Sequence, residues 1–443
     1  MTQLNQAFLQ CKEQILSDAH QTRITQKFTP EDDFSLIDWL AAQAIYPQFY
    51  WQSRDAHEEV VALGEALGFH DPMAVYPHLA SGQRVWGGKS FDVENSQAEI
   101  AEGAYFFLPQ VEITRVEDTW QLHINLQGSR DALWQTLSQL VLEYEPLTGL
   151  KKQTAQITHT PEFSKWQQVL NQALDAMEKQ QFEKVVLARQ TQVLLQEPIL
   201  AAQLLKVSRE KNLRSYHFML SFGPNFSFLG STPECLYRRM HNQVETEALA
   251  GTIGRSDDLA EDAKLSHWLL HDEKNRRENQ FVVDDIMQRL TPKTQHLQVQ
   301  VEAELVRLRK VQHLRRKVKG DLALGVKGAE LLDVLQPTAA IAGLPRQQSL
   351  DFIRQYEPFN RRWYSGSLGY ISHESAEFCV TIRSAIVEGH QVSLYAGAGI
   401  VPGSKAQFEW QELDRKTSTL MSLFVESDAD ELTTEHSKST EQE

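Results

Sequence analysis

The chain has 443 residues, 41% hydrophobic and 23% charged, with a formal net charge of −15 at pH 7. That length exceeds one ordinary domain, and that charge disfavours non-specific binding to nucleic acid or anionic membrane. Cys11, Cys235 and Cys379 are too few and too scattered for a disulfide framework or a paired metal signature, and no stretch approaches the ~18 apolar residues of a membrane span, so a soluble cytoplasmic protein is expected.

MTQLNQAFLQCKEQILSDAHQ reads as an amphipathic helix and lacks the apolar centre of a signal peptide. Residues 35–50 are apolar and aromatic and run into Trp51. Strands with turns are predicted in VYPHLASGQRVWGGKSFD and EGAYFFLPQVEITRVEDTWQLHINL, and a helix in ALWQTLSQLVLEY. The polar stretch 149–162 marks a seam between an N-terminal α/β half (1–155) and a core (156–425). After a helix in SKWQQVLNQALDAMEKQ, strands are predicted around 182–195, 215–222, 226–230 and 234–249. One long helix is expected from Asp258 to Leu290, with Asp258 and Glu261 at capping-box spacing. Strands around 363–373, 376–388 and 391–398 precede a final helix over 404–425, opened by Ser404 and Gln407 at the same spacing. Residues 426–443 are polar, lack aromatics and are expected to be disordered. Alternating strands joined by short turns argue an α+β fold: two large, mostly antiparallel sheets packed together with helices outside.

Several residues in the second half carry chemistry. Alternation puts Lys184 on one strand face with Phe182, Val186 and Ala188, where burial would lower an amine's pKa enough for it to act as a base. The strand alone favours instead an edge lysine reaching to water. Glu234, at a strand start before Cys235, Leu236 and Tyr237, is either a partly buried general acid or a solvated strand end. Glu278 precedes Phe281 and Val282 on a helix, and Glu409, Glu412 and Lys416 share a face of the final helix. Glutamates from two helices suit Mg²⁺, although surface ion pairs such as Glu412 with Lys416 would look the same. Arg383, over the small residues Cys379, Thr381 and Ala385 of a strand spanning 378–387, has room for a carboxylate. Gly397 and Gly399 allow backbone N–H groups to approach an anion, but GAGIVP lacks the third glycine of a dinucleotide fingerprint.

Two patterns are set aside. His267 and His271 have Trp268 where a zinc-protease helix needs glutamate, and read as ordinary helix residues. The basic run 307–320 is isolated in an acidic chain and reads as a solvated surface.

Order and wording go further than any one residue. TPECLY, ETEALAGT, NRRENQFVVDDI, LQPTAAIAGLPR, WYSGSLGY, FCVTIRSA, AGAGIVPGS and EWQELDRK resemble the successive motifs of the chorismate-utilising enzymes, which include anthranilate synthase component I. Within that family they are most similar to the isochorismate synthases. FYWQSRD and VWGGKSFD resemble, more weakly, those of the menaquinone pathway. The resemblance implies the chorismate-binding fold and Mg²⁺ on the ring carboxylate of chorismate, with Glu278 and Glu412 as metal ligands and Glu409 nearby. It places Arg383, Tyr364, Gly397 and Gly399 at the enolpyruvyl carboxylate, and Gly251, Thr252, His313 and Lys416 at further substrate contacts. Family members that add water have lysine where Lys184 stands, whereas those that add ammonia usually have glutamine. Aminodeoxychorismate synthases often carry lysine in PIKGT, where this chain has Ala250. Water addition at C2 with Lys184 as base, loss of the C4 hydroxyl with Glu234 as acid, and no glutaminase partner are therefore expected. Gln336 stands where many members have histidine, which puts local substrate contacts in question. The competing readings are a salicylate synthase, a siderophore-pathway isochorismate synthase and a non-catalytic chorismate-binding scaffold.

Overall fold

The computed structural model describes residues 2–17, 21–92, 103–308 and 310–426. The polar tail beyond Glu426 lies outside the described residues. Every ladder between the strands is antiparallel, and two layers can be traced through them.

The first layer runs from Ala155–Thr160 through Lys184–Leu195, Gln391–Ile400 and Ser384–Glu388 to Phe226–Thr232. It continues through Tyr216–Gly223 and Gln48–Gln52 to Glu58–Phe69. Glu58–Phe69 pairs along its length with Ala104–Val116, which turns the corner. One half of Ala104–Val116 carries Thr119–Asn125 and then Arg23–Phe28. Its other half passes to Val85–Lys89 and starts the second layer. That layer proceeds through Ser367–Ile371, Ser375–Val380, Cys235–Met240 and Gln243–Gly254 to Val311–Leu322.

Aromatic side chains from both layers fill the space between them. Phe49, Trp51, Phe218 and Phe228 of the first meet Trp86, Leu368 and Cys379 of the second in one buried cluster. Helices Gln3–Ser17, Leu36–Ala41 and Ala201–Lys211 cover the far side of the first layer with residues such as Leu36, Leu204 and Leu205. Helices Glu273–Leu290 and Gly328–Leu335 cover the second with Val282, Val283, Ile286, Leu331 and Leu332. This is the sandwich of antiparallel sheets with outer helices that the alternation predicts.

Four local expectations are corrected. The helix expected over 258–290 is two helices, Leu259–His271 and Glu273–Leu290. Asp272 breaks it, because its carboxylate accepts from the Asn275 N–H at 2.9 Å and caps the second helix from an extended backbone. The strand expected over 234–249 is a hairpin, reversing after Met240 where His241 takes φ 53°. Arg383 lies between Ser375–Val380 and Ser384–Glu388 with φ 52°, so strand alternation does not set its direction. The final helix is Ala406–Met421; the Ser404 hydroxyl accepts from the Val401 N–H at 3.2 Å and closes the preceding turn instead of capping.

Candidate active site

Lys184 opens a strand held on both sides, by Gln391–Ile400 and by Ala155–Thr160 with Gly343–Leu344, so the edge-strand alternative fails. Its main chain is tied down from three directions. The Ser349 hydroxyl donates to the Lys184 carbonyl at 2.9 Å, and Arg361 Nη2 donates to the Val186 carbonyl at 2.7 Å. The Ala188 N–H donates to Glu357 Oε2 at 3.1 Å, and Glu357 pairs with Arg361 at 2.6 Å. Lys184 is 1% exposed, and its Nζ donates to Glu278 Oε1 at 2.8 Å.

Gly399, on the neighbouring strand, makes room for that amine. A Cβ at 399 would lie 3.1 Å from Lys184 Cε and 3.5 Å from Glu278 Oε1. Gly399→Ala therefore should displace the amine from Glu278 and lower kcat by roughly 10–10²-fold, the scale of ångström misplacement. Steady-state kinetics alongside an unchanged circular dichroism spectrum check this.

Glu234 follows Pro233 in the gap between Phe226–Thr232 and Cys235–Met240. It is 5% exposed, and burial, reinforced by the nearby Glu247 carboxylate, pushes its carboxyl up to about 8. A buried carboxyl with that value holds its proton at neutral pH and can donate it.

The helix Ala406–Met421 brings the opposite wall. Lys416 Nζ donates to the Gly397 carbonyl at 2.9 Å and pairs with Glu412 Oε1 at 2.6 Å. Burial opposes ionisation of Glu412, but Lys416, together with Arg415 and Arg383, outweighs it and holds the carboxyl below its ordinary range. Glu409, one turn earlier, is raised by burial and by Glu412. Thr252 Oγ1 lies 2.8 Å from His313 Nδ1, and burial, with Arg383 and Lys416 nearby, pushes that imidazole down to about 3, so it is neutral. Gly251 holds φ +85°, and a Cβ there would press on Asn275 at 3.1–3.3 Å. The Tyr364 ring stacks on Tyr395, centroids 5.3 Å apart at 14°, and Arg383 is half-buried beside it.

One cavity of about 370 Å³ is lined by Lys184, Glu234, Gly251, Thr252, Glu278, His313, Tyr364, Arg383, Gly397, Gly399, Glu409, Glu412 and Lys416. The candidate acid, base, metal and substrate residues read from the sequence therefore face the same space. It joins a buried amine, a protonated carboxyl, a cationic side with Arg383 and Lys416, and an acidic side with Glu278, Glu409 and Glu412. Among the described residues no three His, Cys, Asp or Glu groups form a closed metal cluster. The raised Glu409 next to Glu412 nevertheless marks surplus negative charge, and a few carboxylate oxygens suit a hard cation that keeps waters and substrate oxygens.

Residues missed in the sequence support these groups. Asn275 Oδ1 accepts from the Thr252 N–H at 3.2 Å, and buried Asn279 Nδ2 donates to the carbonyls of Ala248, Ala250 and Leu314 at 3.0–3.3 Å. With Glu278 they form a polar stripe at helical spacing, a signal present in NRRENQ. Gln336 does not line the cavity: its Nε2 donates to the Ser90 carbonyl at 2.7 Å and its Oε1 accepts from Ser367 Oγ at 2.6 Å. His267 and His271 are exposed helix residues. In the basic run, Arg315 pairs with Glu304 at 2.5 Å and Lys319 with Glu245, while His313 turns to the cavity. The run thus lies largely on a strand paired with its neighbours, and Arg307, Lys317 and Lys319 remain exposed as a solvated face.

The model of the family described as chorismate binding enzyme matches residues 72–425. The isochorismate synthase MenF of Escherichia coli (strain K12) is 41% identical over 407 residues, covering 89% of this chain and 92% of that protein. The isochorismate synthase MenF of Haemophilus influenzae is 37% identical over 433 residues, covering 96% and 98%. The solved structure of MenF, the menaquinone-specific isochorismate synthase from Escherichia coli, superimposes with a TM-score of 0.88 at 38% identity, covering 95% of this chain and 99% of that one.

Proposed function

The chain belongs to the chorismate-binding enzymes, and we propose that it is an isochorismate synthase, converting chorismate to isochorismate on the way to menaquinone. The observation that carries the chemistry is a buried amine, Lys184, and a buried carboxyl held protonated, Glu234, lining one cavity.

Lys184 takes a proton from a water whose oxygen bonds to ring C2. Both ring double bonds shift by one position, from C1–C2 to C1–C6 and from C5–C6 to C4–C5, the C4–O bond breaks, and Glu234 gives its proton to the departing hydroxyl, which leaves as water. One water enters and one leaves, so the change is an isomerisation. Arg383, with Tyr364 and the backbone at Gly397 and Gly399, receives the enolpyruvyl carboxylate. Gly251, Thr252, neutral His313 and Lys416 position the ring. Mg²⁺, held by Glu278 and Glu412 with Glu409 near, would orient the ring carboxylate and spread its charge. Glu278 faces both the amine and that cation site.

Water is the nucleophile in this reading, no glutaminase subunit is required, and the enzyme works in the cytoplasm. Among the described residues no helix is long and apolar enough to cross a membrane. Residues 156–425 act as the catalytic core, with 1–155 packed on it.

Incubation with chorismate and Mg²⁺, followed by chromatography, tests the reading. Isochorismate is expected, without salicylate or an aminated product. EDTA should abolish turnover and added Mg²⁺ restore it. Accumulating fluorescent salicylate, or chorismate binding without conversion, would overturn the assignment.

A further inference from the structure

Glu234 sits where no β-ladder holds it, between the end of one strand and the start of another. A buried segment outside a ladder still needs partners for its backbone groups. They are supplied at four consecutive points. The Glu234 N–H donates to Thr232 Oγ1 at 3.3 Å, and the Glu234 carbonyl accepts from the Val380 N–H at 3.0 Å. On the residue before, Arg54 Nη1 donates to the Pro233 carbonyl at 2.9 Å. On the residue after, the Cys235 N–H donates to Glu247 Oε1 at 3.1 Å. The last two ties are one unit, because Arg54 Nη1 also donates to Glu247 Oε1.

The unit is well supported. Arg54 Cζ lies 5.6 Å from the Tyr216 ring centroid, and Glu247, with its side chain 4% exposed, has Arg315 Nη1 at 3.5 Å from its other oxygen. Arg54 comes from FYWQSRD in the first 155 residues, far in sequence from everything else at the cavity.

We propose that Arg54 and Glu247 form a clamp that grips the main chain on both sides of Glu234 and fixes the direction in which its carboxyl delivers a proton. Neither residue is among those lining the cavity, so both are positioning residues, and the first 155 residues contribute one of them. Glu247 has a second effect of the same sign, since its charge helps burial keep Glu234 protonated. This inference rests on the reading of Glu234 as the general acid.

The test is steady-state kinetics on the full chain with Arg54→Gln, Glu247→Gln and the double variant. Each single change should lower kcat by roughly 10–10²-fold, as expected for an ångström-scale misplacement, with KM for chorismate unchanged. Because the two act as one unit, the double variant should be no worse than the poorer single. A purely structural role predicts the opposite: a lowered thermal midpoint, a raised KM and losses that multiply. If Arg54→Gln fails to fold, Arg54→Lys keeps the charge beside Glu247 but its shorter side chain does not reach both the Pro233 carbonyl and Glu247 as Arg54 Nη1 does, and should show the same fall in kcat. Wild-type kcat in the folded Arg54 and Glu247 variants, or multiplying losses, sinks the clamp. Wild-type enzyme that makes no isochorismate, or a fully active Glu234→Gln, sinks the underlying reading instead.

Discussion

Lys184→Ala should leave chorismate essentially unconverted, with turnover down by roughly 10²–10⁴-fold, the usual worth of one general base. The amine is enclosed, its strand is pinned by Ser349, Arg361 and Glu357, and its Nζ is 2.8 Å from Glu278. Lys416, another amine lining the cavity, is engaged by Glu412 and the Gly397 carbonyl. Small exogenous amines should restore part of the rate to Lys184→Ala, since deletion of the side chain leaves room for them. Product formation followed by chromatography, with and without methylamine, checks this; equal rates in wild type and variant would remove Lys184 from the mechanism.

Glu234→Gln should be as severe, because an amide of the same shape has no proton of comparable acidity to give. It also makes a prediction about pH. The carboxyl moves from an ordinary 4.5 to about 8 in the folded chain. Below the lower value both folded and unfolded chains hold the proton. Between the two only the folded chain does, so stability falls by about 1.4 kcal/mol per pH unit as pH rises, and the fall ends above the higher value. Catalysis follows the same group, so wild-type kcat/KM should decline as pH passes through about 8. Glu234→Gln should lose both dependences and gain thermal stability relative to wild type at pH 9 compared with pH 5. Melting curves at the two pH values report this even in an inactive variant, and identical pH slopes would contradict the buried-acid assignment.

The fold was legible because strand alternation and outer helical stripes repeat over many elements, so errors at single boundaries do not alter the layers. Those errors have a common cause. Asp272, His241 and Arg383 each impose a local backbone state that hydrophobic periodicity cannot register. The cavity residues were legible through motif wording, not through local pattern: Lys184 by itself fitted a solvent-seeking lysine, and only its burial between Gln391–Ile400 and Gly343–Leu344 settles that it is enclosed. Asn275 and Asn279 left only the helical spacing they share with Glu278, and Arg54 and Glu247 stayed hidden because their partners are backbone groups brought close by folding, which spacing does not record.

The interleaving of the first 155 residues with the rest has an outcome for how the chain can be divided. Gln48–Gln52 closes the flank of Tyr216–Gly223, and Val85–Lys89 closes that of Ser367–Ile371. A fragment starting at 156 would bare both flanks, each a row of unsatisfied amides and carbonyls ready to recruit strands from other molecules. Such a fragment is a seed for aggregation, and evolution can shorten or replace the leading segment only by sealing those two borders some other way.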